Sequence, residues 1–141
     1  METLLVDAAE NGVVTITMNR PEKKNAANGT MWDELRQTWD EIGLDPDVRC
    51  VVMTGAGDAF CSGADLGGGG GKEMHQLQSM NMIHRTIAAL YSIMVPVVAK
   101  VNGVAAGAGM NMALACDLIV ASDQARFSEI FARRGLSVDF G

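Results

Sequence analysis

The stretch that decides the fold is PVVAKVNGVAAGAG, residues 96–109. It opens with the apolar run Val97 to Val101, which is typical of a buried strand. Small residues from Gly107 to Ala115 then favour a helix. The glycines between them let backbone amides approach a ligand closely, because glycine has no side chain to keep a ligand away. The stretch therefore predicts a strand, a ligand-facing loop and a helix.

Two earlier segments repeat the pattern of a strand followed by a loop. NRPEKKNA (residues 19–26) follows the alternating, β-branched run Val13 to Met18, and GAGDAFCSGADL (residues 55–66) follows the apolar run Val48 to Met53. β-Branched and apolar runs of this length are typical of strands. The chain thus offers three strand ends at which a site can form.

The other elements complete an α/β pattern. Asn28 to Ile42 is predicted to be a helix, capped by Asn28 or Thr30, with an apolar stripe along one face. Strands alternating with helices indicate a parallel or mixed sheet built from βαβ units. The further predictions are a first strand at 3–6 that pairs across Asn11-Gly12, a helix at about 73–93, and short strands at 118–121 and 126–128.

Composition excludes several classes of function. The 141 residues carry a net charge of -6 without a basic stripe, so no nucleic-acid partner is expected. The longest uncharged stretch, 101–116, is too short to cross a bilayer, and the N-terminus is no signal peptide. The spacing of the three cysteines, Cys50, Cys61 and Cys116, indicates neither a disulfide framework nor a metal site. The two histidines also lack partners at metal-site spacing, so no metal is expected. We expect one cytoplasmic domain over residues 1–141.

Taken together, the three loop segments resemble the enoyl-CoA hydratase/isomerase (crotonase) family in order and spacing, over essentially the whole chain. The resemblance implies an α/β fold, the ClpP-like crotonase spiral of ββα units, with the family's C-terminal helical region absent. It implies an acyl-CoA thioester as substrate, with coenzyme A as part of that substrate and no separate cofactor. It also implies a homotrimer or a dimer of trimers.

The same resemblance assigns residues to the site. The amides of Ala64 and Ala108 would form an oxyanion hole for the thioester carbonyl, where many family members have glycine in place of Ala108. An enolate needs such donors, and Ala108 would lie in the first turn of a helix, where the dipole is positive. The remaining assignments place Lys23, Lys24 and Ala26 beside the nucleotide and pantetheine, and Ala64, Asp65 and Leu66 along the adenine and thioester. From the residues alone, the lysine pair could equally be a solvated surface pair, and Asp65 could cap a turn.

The residues at the acid positions of the family argue against simple hydration of a double bond. The family's hydratases use two glutamates, and the matching positions here hold Asn111 and Phe131, which remain as substrate contacts. An amide can orient water but cannot accept its proton at neutral pH. Asp139 matches the aspartate of the family's double-bond and ring-forming isomerases, and one carboxylate can move a proton between two carbons. We therefore predict an isomerase with Asp139 as acid and base.

Three alternatives stay open. The chain could belong to an enoyl-CoA hydratase, a lyase. Because the family normally continues beyond this length, it could also be a non-catalytic acyl-CoA-binding remnant. His84 and Asp139 match the histidine and nucleophilic aspartate of the 4-chlorobenzoyl-CoA dehalogenases, which suggests dehalogenation, although Phe131 replaces a tryptophan of that branch. Glu129 is a further acid for which the sequence gives no role.

Overall fold

The computed structural model describes residues 1–67, 75–138 and 140, with only the backbone of Gln76. Within this part of the chain the strands, in order, are β1 (Leu4–Ala8), β2 (Val13–Met18), β3 (Cys50–Gly55), β4 (Ala59–Cys61), β5 (Val97–Val101), β6 (Val104–Ala106), β7 (Leu118–Ala121) and β8 (Arg126–Ser128). The helices are α1 (Gly29–Leu44), α2 (Gln76–Tyr91) and α3 (Ala108–Leu114), and two short 3-10 turns cover Pro21–Lys23 and Ile130–Arg134.

The larger sheet has the order β1-β2-β3-β5-β7. β1 and β2 form an antiparallel hairpin, and every other neighbouring pair is parallel. The carboxyl ends of parallel strands meet at one edge of a sheet, where α/β folds place their ligands. The loops that follow β2, β3 and β5 therefore lie together at that edge.

Helix α1 begins after Asn28, whose backbone is still extended and whose side chain caps the helix. The Asn28 side chain accepts a hydrogen bond from the Met31 amide at 2.9 Å, which satisfies one of the helix's free N–H groups. Pro46 follows the helix and cannot continue it. The buried face consists of Met31, Trp32, Leu35, Thr38, Trp39 and Ile42. Burying one such large apolar side chain stabilises the fold by about 1.5–3 kcal/mol.

Helix α2 packs against α1 and closes the core on that side. Its buried residues Ile83, Ile87 and Leu90 recur at helical spacing. The fully buried Thr86 hydroxyl lies 3.1 Å from the Trp32 carbonyl of α1 and 3.1 Å from the Met82 carbonyl of its own helix, so this buried polar group is satisfied.

The smaller sheet carries the third helix. β4, β6 and β8 are parallel neighbours, and α3 starts two residues after β6 ends. The Gly107 amide, immediately before α3, donates to the Ser128 carbonyl at the end of β8 at 2.9 Å. This bond fixes the start of α3 beside β8, so the first turn of the helix faces the loops at the sheet edge.

Most sequence predictions of elements are confirmed. β2, β5, β7 and β8 have the predicted bounds, Asn28 is the cap of α1, and the predicted stripe is buried. The predicted helix at 73–93 is seen as α2, and residues 73–74 lie outside the described part of the chain. β4 and β6, with three residues each, were not predicted. Among the described residues, no helix has both the length and the apolar character needed to cross a membrane.

Candidate functional site

Two asparagines, one fully buried and one partly exposed, hold the three loops together at the sheet edge. Asn25 is fully buried, and its side-chain amide donates to the carbonyls of Ala56 and Ala59 at 2.9 and 2.8 Å. Asn102, just after β5, donates to the carbonyls of Gly55 and Gly57 at 2.9 and 3.0 Å. Side-chain amides that use backbone partners in this way fix loop geometry, and leaving the buried Asn25 amide unpaired would cost free energy. The loop after β3 is thus held from both sides.

The loops after β2 and β4 are joined by backbone hydrogen bonds around Ala64. Ala27 donates to the Gly63 carbonyl at 2.8 Å, and Asp65 donates to the Ala27 carbonyl at 2.9 Å. These two bonds flank the Ala27–Ala64 bridge and leave the Ala64 amide pointing away from it. Ala64 is consequently held between two fixed neighbours.

An ion pair between Arg20 and Asp65 reinforces this junction. The Arg20 guanidinium lies 2.9 Å from the Asp65 carboxylate and also donates to the Ala26 carbonyl. Both side chains are largely buried, with 16% and 17% exposed. The pKa of Asp65 is lowered, first by the hydrogen bond from the Gly67 amide and then by Arg20. The carboxylate is therefore engaged within the loop itself.

The start of α3 approaches Ala64 because glycines allow the backbones to come close. Gly107 has a φ of +52°, a left-handed conformation that suits glycine. A Cβ atom on Gly109 would lie only 2.1 Å from the Cys61 carbonyl oxygen, so α3 rests directly on β4. A Cβ on Gly63 would lie 3.8 Å from the Ala108 nitrogen, which places the two loop backbones side by side.

The result is a pair of unused backbone donors. Within the described residues, neither the Ala64 amide nor the Ala108 amide donates a hydrogen bond. Ala108 is the first residue of α3, where the amide has no partner inside the helix. Both residues line a largely apolar cavity of about 140 Å³. The cavity is completed by Ser62, Gly63, Leu66, Gly107, Ile130, Phe131, Arg134 and Leu136.

A second cavity, of about 370 Å³, lies beside the later residues of α3 and the segment that follows β8. Asn111 lines it from α3, and Glu129 lines it from the residue after β8. Val138 and Phe140, the two chain neighbours of Asp139, line it as well, and the Phe140 ring packs edge-on against Trp32 with centroids 6.1 Å apart. Asp139 itself lies outside the described residues.

The two lysines at the loop after β2 differ in their partners. The Lys24 ammonium lies 2.5 Å from the Asp58 carboxylate, and the pKa of Asp58 is lowered, mainly by that hydrogen bond and by the Lys24 charge. Lys23 has no ion-pair partner within the described residues. Lys23 is therefore the better placed of the two to meet an external anion.

The structure brings together most of the residues singled out by sequence. Ala64, Leu66, Ala108 and Phe131 line one cavity, and Asn111 lines the other. His84 is exposed on α2 and lines neither. In the described part of the chain no cluster of three His, Cys, Asp or Glu side chains could hold a metal ion. Sequence reasoning missed the positioning residues Arg20, Asn25 and Asn102, whose only signal was their place in the loop segments.

Chemically, two unused amides on residues that line an apolar cavity can bind a carbonyl oxygen and stabilise negative charge on it. Fold and site together thus define a class of α/β proteins with a pair of unused backbone donors, among the described residues, at the edge of a parallel sheet.

Comparison with known proteins identifies the family. A family model described as "Enoyl-CoA hydratase/isomerase" matches residues 8–141. The chain belongs to this enoyl-CoA hydratase/isomerase family, and its fold is the α/β crotonase fold.

Individual relatives carry both kinds of name. The chain is 41% identical to a probable enoyl-CoA hydratase of Rhodobacter capsulatus, over 92% of this chain and 50% of that protein. It is 36% identical to the 1,2-epoxyphenylacetyl-CoA isomerase of Escherichia coli, over 100% of this chain and 56% of that protein. A crystal structure of a putative enoyl-CoA hydratase/isomerase from Mycobacterium abscessus superimposes with a TM-score of 0.87 at 36% identity, over 96% of this chain and 54% of that one. The chain therefore spans about half the length of the relatives it matches.

Proposed function

We propose that this chain carries the thioester site of an acyl-CoA isomerase, in which the Ala64 and Ala108 amides hold the enolate oxygen and Asp139 moves the proton. The observation that carries the proposal is the pair of unused amides at the apolar cavity. Removing one donor of this kind from an enzyme typically costs about 3–4 kcal/mol of transition-state stabilisation.

The side chains around the site favour isomerisation over hydration. Hydration of a double bond needs a base that activates water and an acid that protonates carbon. Asn111 and Phe131, at the positions where the family's hydratases carry glutamate, can do neither. The neighbours of Asp139 line the cavity that also contains Asn111, which supports a role for Asp139 on the acyl chain. The relative from Escherichia coli that is named an isomerase matches the whole of this chain.

The coenzyme A portion of the substrate would lie along the loops after β2 and β4. Lys23, Lys24, Ala26, Asp65 and Leu66 are the residues proposed to contact it. Lys23 supports this assignment because its charge is unpaired among the described residues, and phosphate groups are anionic. The proposed assembly is a homotrimer or a dimer of trimers. It is supported by the apolar side chains that β7 leaves exposed, with Leu118 and Val120 each 60% exposed.

Enoyl-CoA hydratase remains the second candidate, because most of the similar relatives bear that name. The test uses the protein expressed from its complete reading frame, with crotonyl-CoA for hydration and 3-hexenoyl-CoA for isomerisation. Loss or gain of the conjugated thioester absorbance is followed for the wild type, Asp139→Asn and the control Asp7→Asn, whose side chain is exposed on β1.

We expect isomerisation without hydration, lost in Asp139→Asn by about 100-fold or more and kept in Asp7→Asn. Rapid hydration of crotonyl-CoA that survives Asp139→Asn would refute the isomerase and support the hydratase. Binding of either thioester without any turnover would support the non-catalytic alternative.

A further inference from the structure

Glu129 is a partly exposed residue with shielded carboxylate oxygens, and the proposed reaction gives it no task. Both of its carboxylate oxygens are shielded from solvent, and neither has a hydrogen-bond partner in the part of the chain that the structure describes. Buried polar groups are nearly always paired, because an unpaired one costs several kcal/mol. An exception of this kind is a candidate for a group that acts on a ligand.

The surroundings of Glu129 match the needs of an acyl chain. Glu129 lines the cavity of about 370 Å³ together with Leu114, Ala115, Val138 and Phe140, all of them apolar. A water molecule occupies about 30 Å³ of liquid volume, so this space accommodates several carbon atoms. Asn111 and Tyr91 supply the other polar groups of the lining. Glu129 is thus one of the few polar members of a largely hydrophobic lining, and its two carboxylate oxygens are shielded from solvent.

This cavity and the one at the two amides are lined by nearby residues of the same two parts of the chain, α3 and the segment that follows β8. Asn111 lies one turn after Ala108 on α3, a rise of about 4.5 Å along the helix axis. Glu129 immediately precedes Ile130 and Phe131, which line the cavity that contains Ala64 and Ala108. A thioester whose carbonyl oxygen is held by the two amides would therefore extend its acyl carbons toward Glu129.

We infer that Glu129 is a second catalytic acid–base residue, which exchanges a proton with the γ carbon of an enoyl-CoA while Asp139 serves the α carbon. The inference rests on the proposed function and extends it from one carboxylate to two. Chains of three or more acyl carbons beyond the carbonyl would be substrates, because Glu129 acts at the far side of the double bond.

The proton balance of the step closes without a further reactant. From a 3-enoyl thioester, Asp139 takes the α proton, and the electron pair of that C–H bond spreads onto the carbonyl oxygen held by the Ala64 and Ala108 amides. The dienolate then takes a proton from the acid form of Glu129 at the γ carbon, and the double bond ends between the α and β carbons. Asp139 finishes protonated and Glu129 ionised, and exchange with solvent restores both.

The test separates the two carboxylates by two reactions in D₂O, again with the protein from the complete reading frame. Butyryl-CoA has no double bond, so its α-proton exchange, followed by NMR, needs the amides and Asp139 only. Isomerisation of 3-hexenoyl-CoA needs both acids. The variants are Glu129→Gln and the control Glu41→Gln, whose side chain is exposed on α1.

We expect Glu129→Gln to slow isomerisation by about 100-fold or more while butyryl-CoA exchange stays within about 2-fold of wild type. Glu41→Gln should leave both reactions unchanged. Unchanged isomerisation in Glu129→Gln would overturn the inference, and so would equal loss of both reactions, which would indicate a merely structural acid. Failure of the proposed function would be seen in the wild type itself, as an absence of both reactions.

Discussion

Replacing Gly109 with alanine tests whether the packing of α3 on β4 positions the Ala108 amide. A Cβ at this position would lie 2.1 Å from the Cys61 carbonyl oxygen and 2.7 Å from the Cys61 Cβ. Real Cβ atoms keep at least 3.0 Å from such atoms, so α3 has to move by about 0.9 Å away from β4. Because the obstacle is backbone, no side-chain rotation relieves the overlap.

Two effects of this movement can be given magnitudes. Overpacking a well-packed interior typically costs about 1–3 kcal/mol of the free energy of unfolding. Ala108 adjoins Gly109 and moves with it, and a misplacement of about 1 Å in a catalytic group can cost about 100-fold in rate. At an open helical position the change from glycine to alanine would stabilise the helix by about 1 kcal/mol. The sign of the stability change is therefore diagnostic.

The assay compares Gly109→Ala with Gly43→Ala in urea unfolding and in turnover of 3-hexenoyl-CoA. Gly43 is a matched control because it lies in α1 and an added Cβ there meets nothing within 4 Å. We expect Gly43→Ala to gain about 0.5–1 kcal/mol and keep its activity, while Gly109→Ala loses both stability and rate. A Gly109→Ala protein as stable and as active as wild type would show that this contact does not position the amide.

Two further predictions concern charge and thiols. Arg20→Met should cost about 1.5–3 kcal/mol of unfolding free energy at pH 7, against about 0.5 kcal/mol for the exposed-pair control Arg36→Met. Because the pKa of Asp65 is lowered from 3.8, its contribution is present above that value and lost as the pH falls through the folded-state pKa. The excess cost of Arg20→Met in urea unfolding should therefore shrink in acid, and equal costs for both variants would contradict it. Burial raises the pKa of Cys61 to about 11 and that of Cys116 to about 12. Iodoacetamide at pH 8 should therefore label only the half-exposed Cys50 in the native protein, and peptide mass spectrometry would show which thiol reacts. Labelling of Cys61 as fast as Cys50 would refute this prediction.

Local signals explain the parts of the fold that the sequence predicts well. The stripe and the Asn28 cap of α1 depend on spacing within one helix, and the alternation of β2 depends on neighbours two residues apart. β4 and β6 have three residues each and no period to detect. They form because they pair with each other and with β8 in the second sheet, which is a contact between distant parts of the chain.

The candidate site likewise combines features that local sequence shows with contacts that only the structure shows. The three glycine-containing loops are visible in the sequence, and their likeness to a family supplied Ala64 and Ala108. Arg20 and Asp65 are 45 residues apart, and Asn102 reaches Gly55 across 47 residues, so no spacing rule pairs them. Glu129 shows the opposite case, since no sequence pattern assigned it a role and only its shielded carboxylate, unpaired within the described residues, draws attention to it.

In the proposed function, backbone amides account for the substrate class and side chains account for the reaction. The donors at Ala64 and Ala108 belong to the backbone, so a side chain at either position reshapes the cavity without removing a donor. Proton transfer, by contrast, needs side chains of the right kind, and Asn111 in place of a carboxylate changes what can be done to the substrate. Under the proposed function, the backbone donors would therefore set the carbonyl chemistry and the side chains would set which reaction follows. Among the described residues that line the larger cavity Glu129 is the one carboxylate, so under the proposed function we expect the ratio of isomerisation to hydration to depend on Glu129 and Asp139 together.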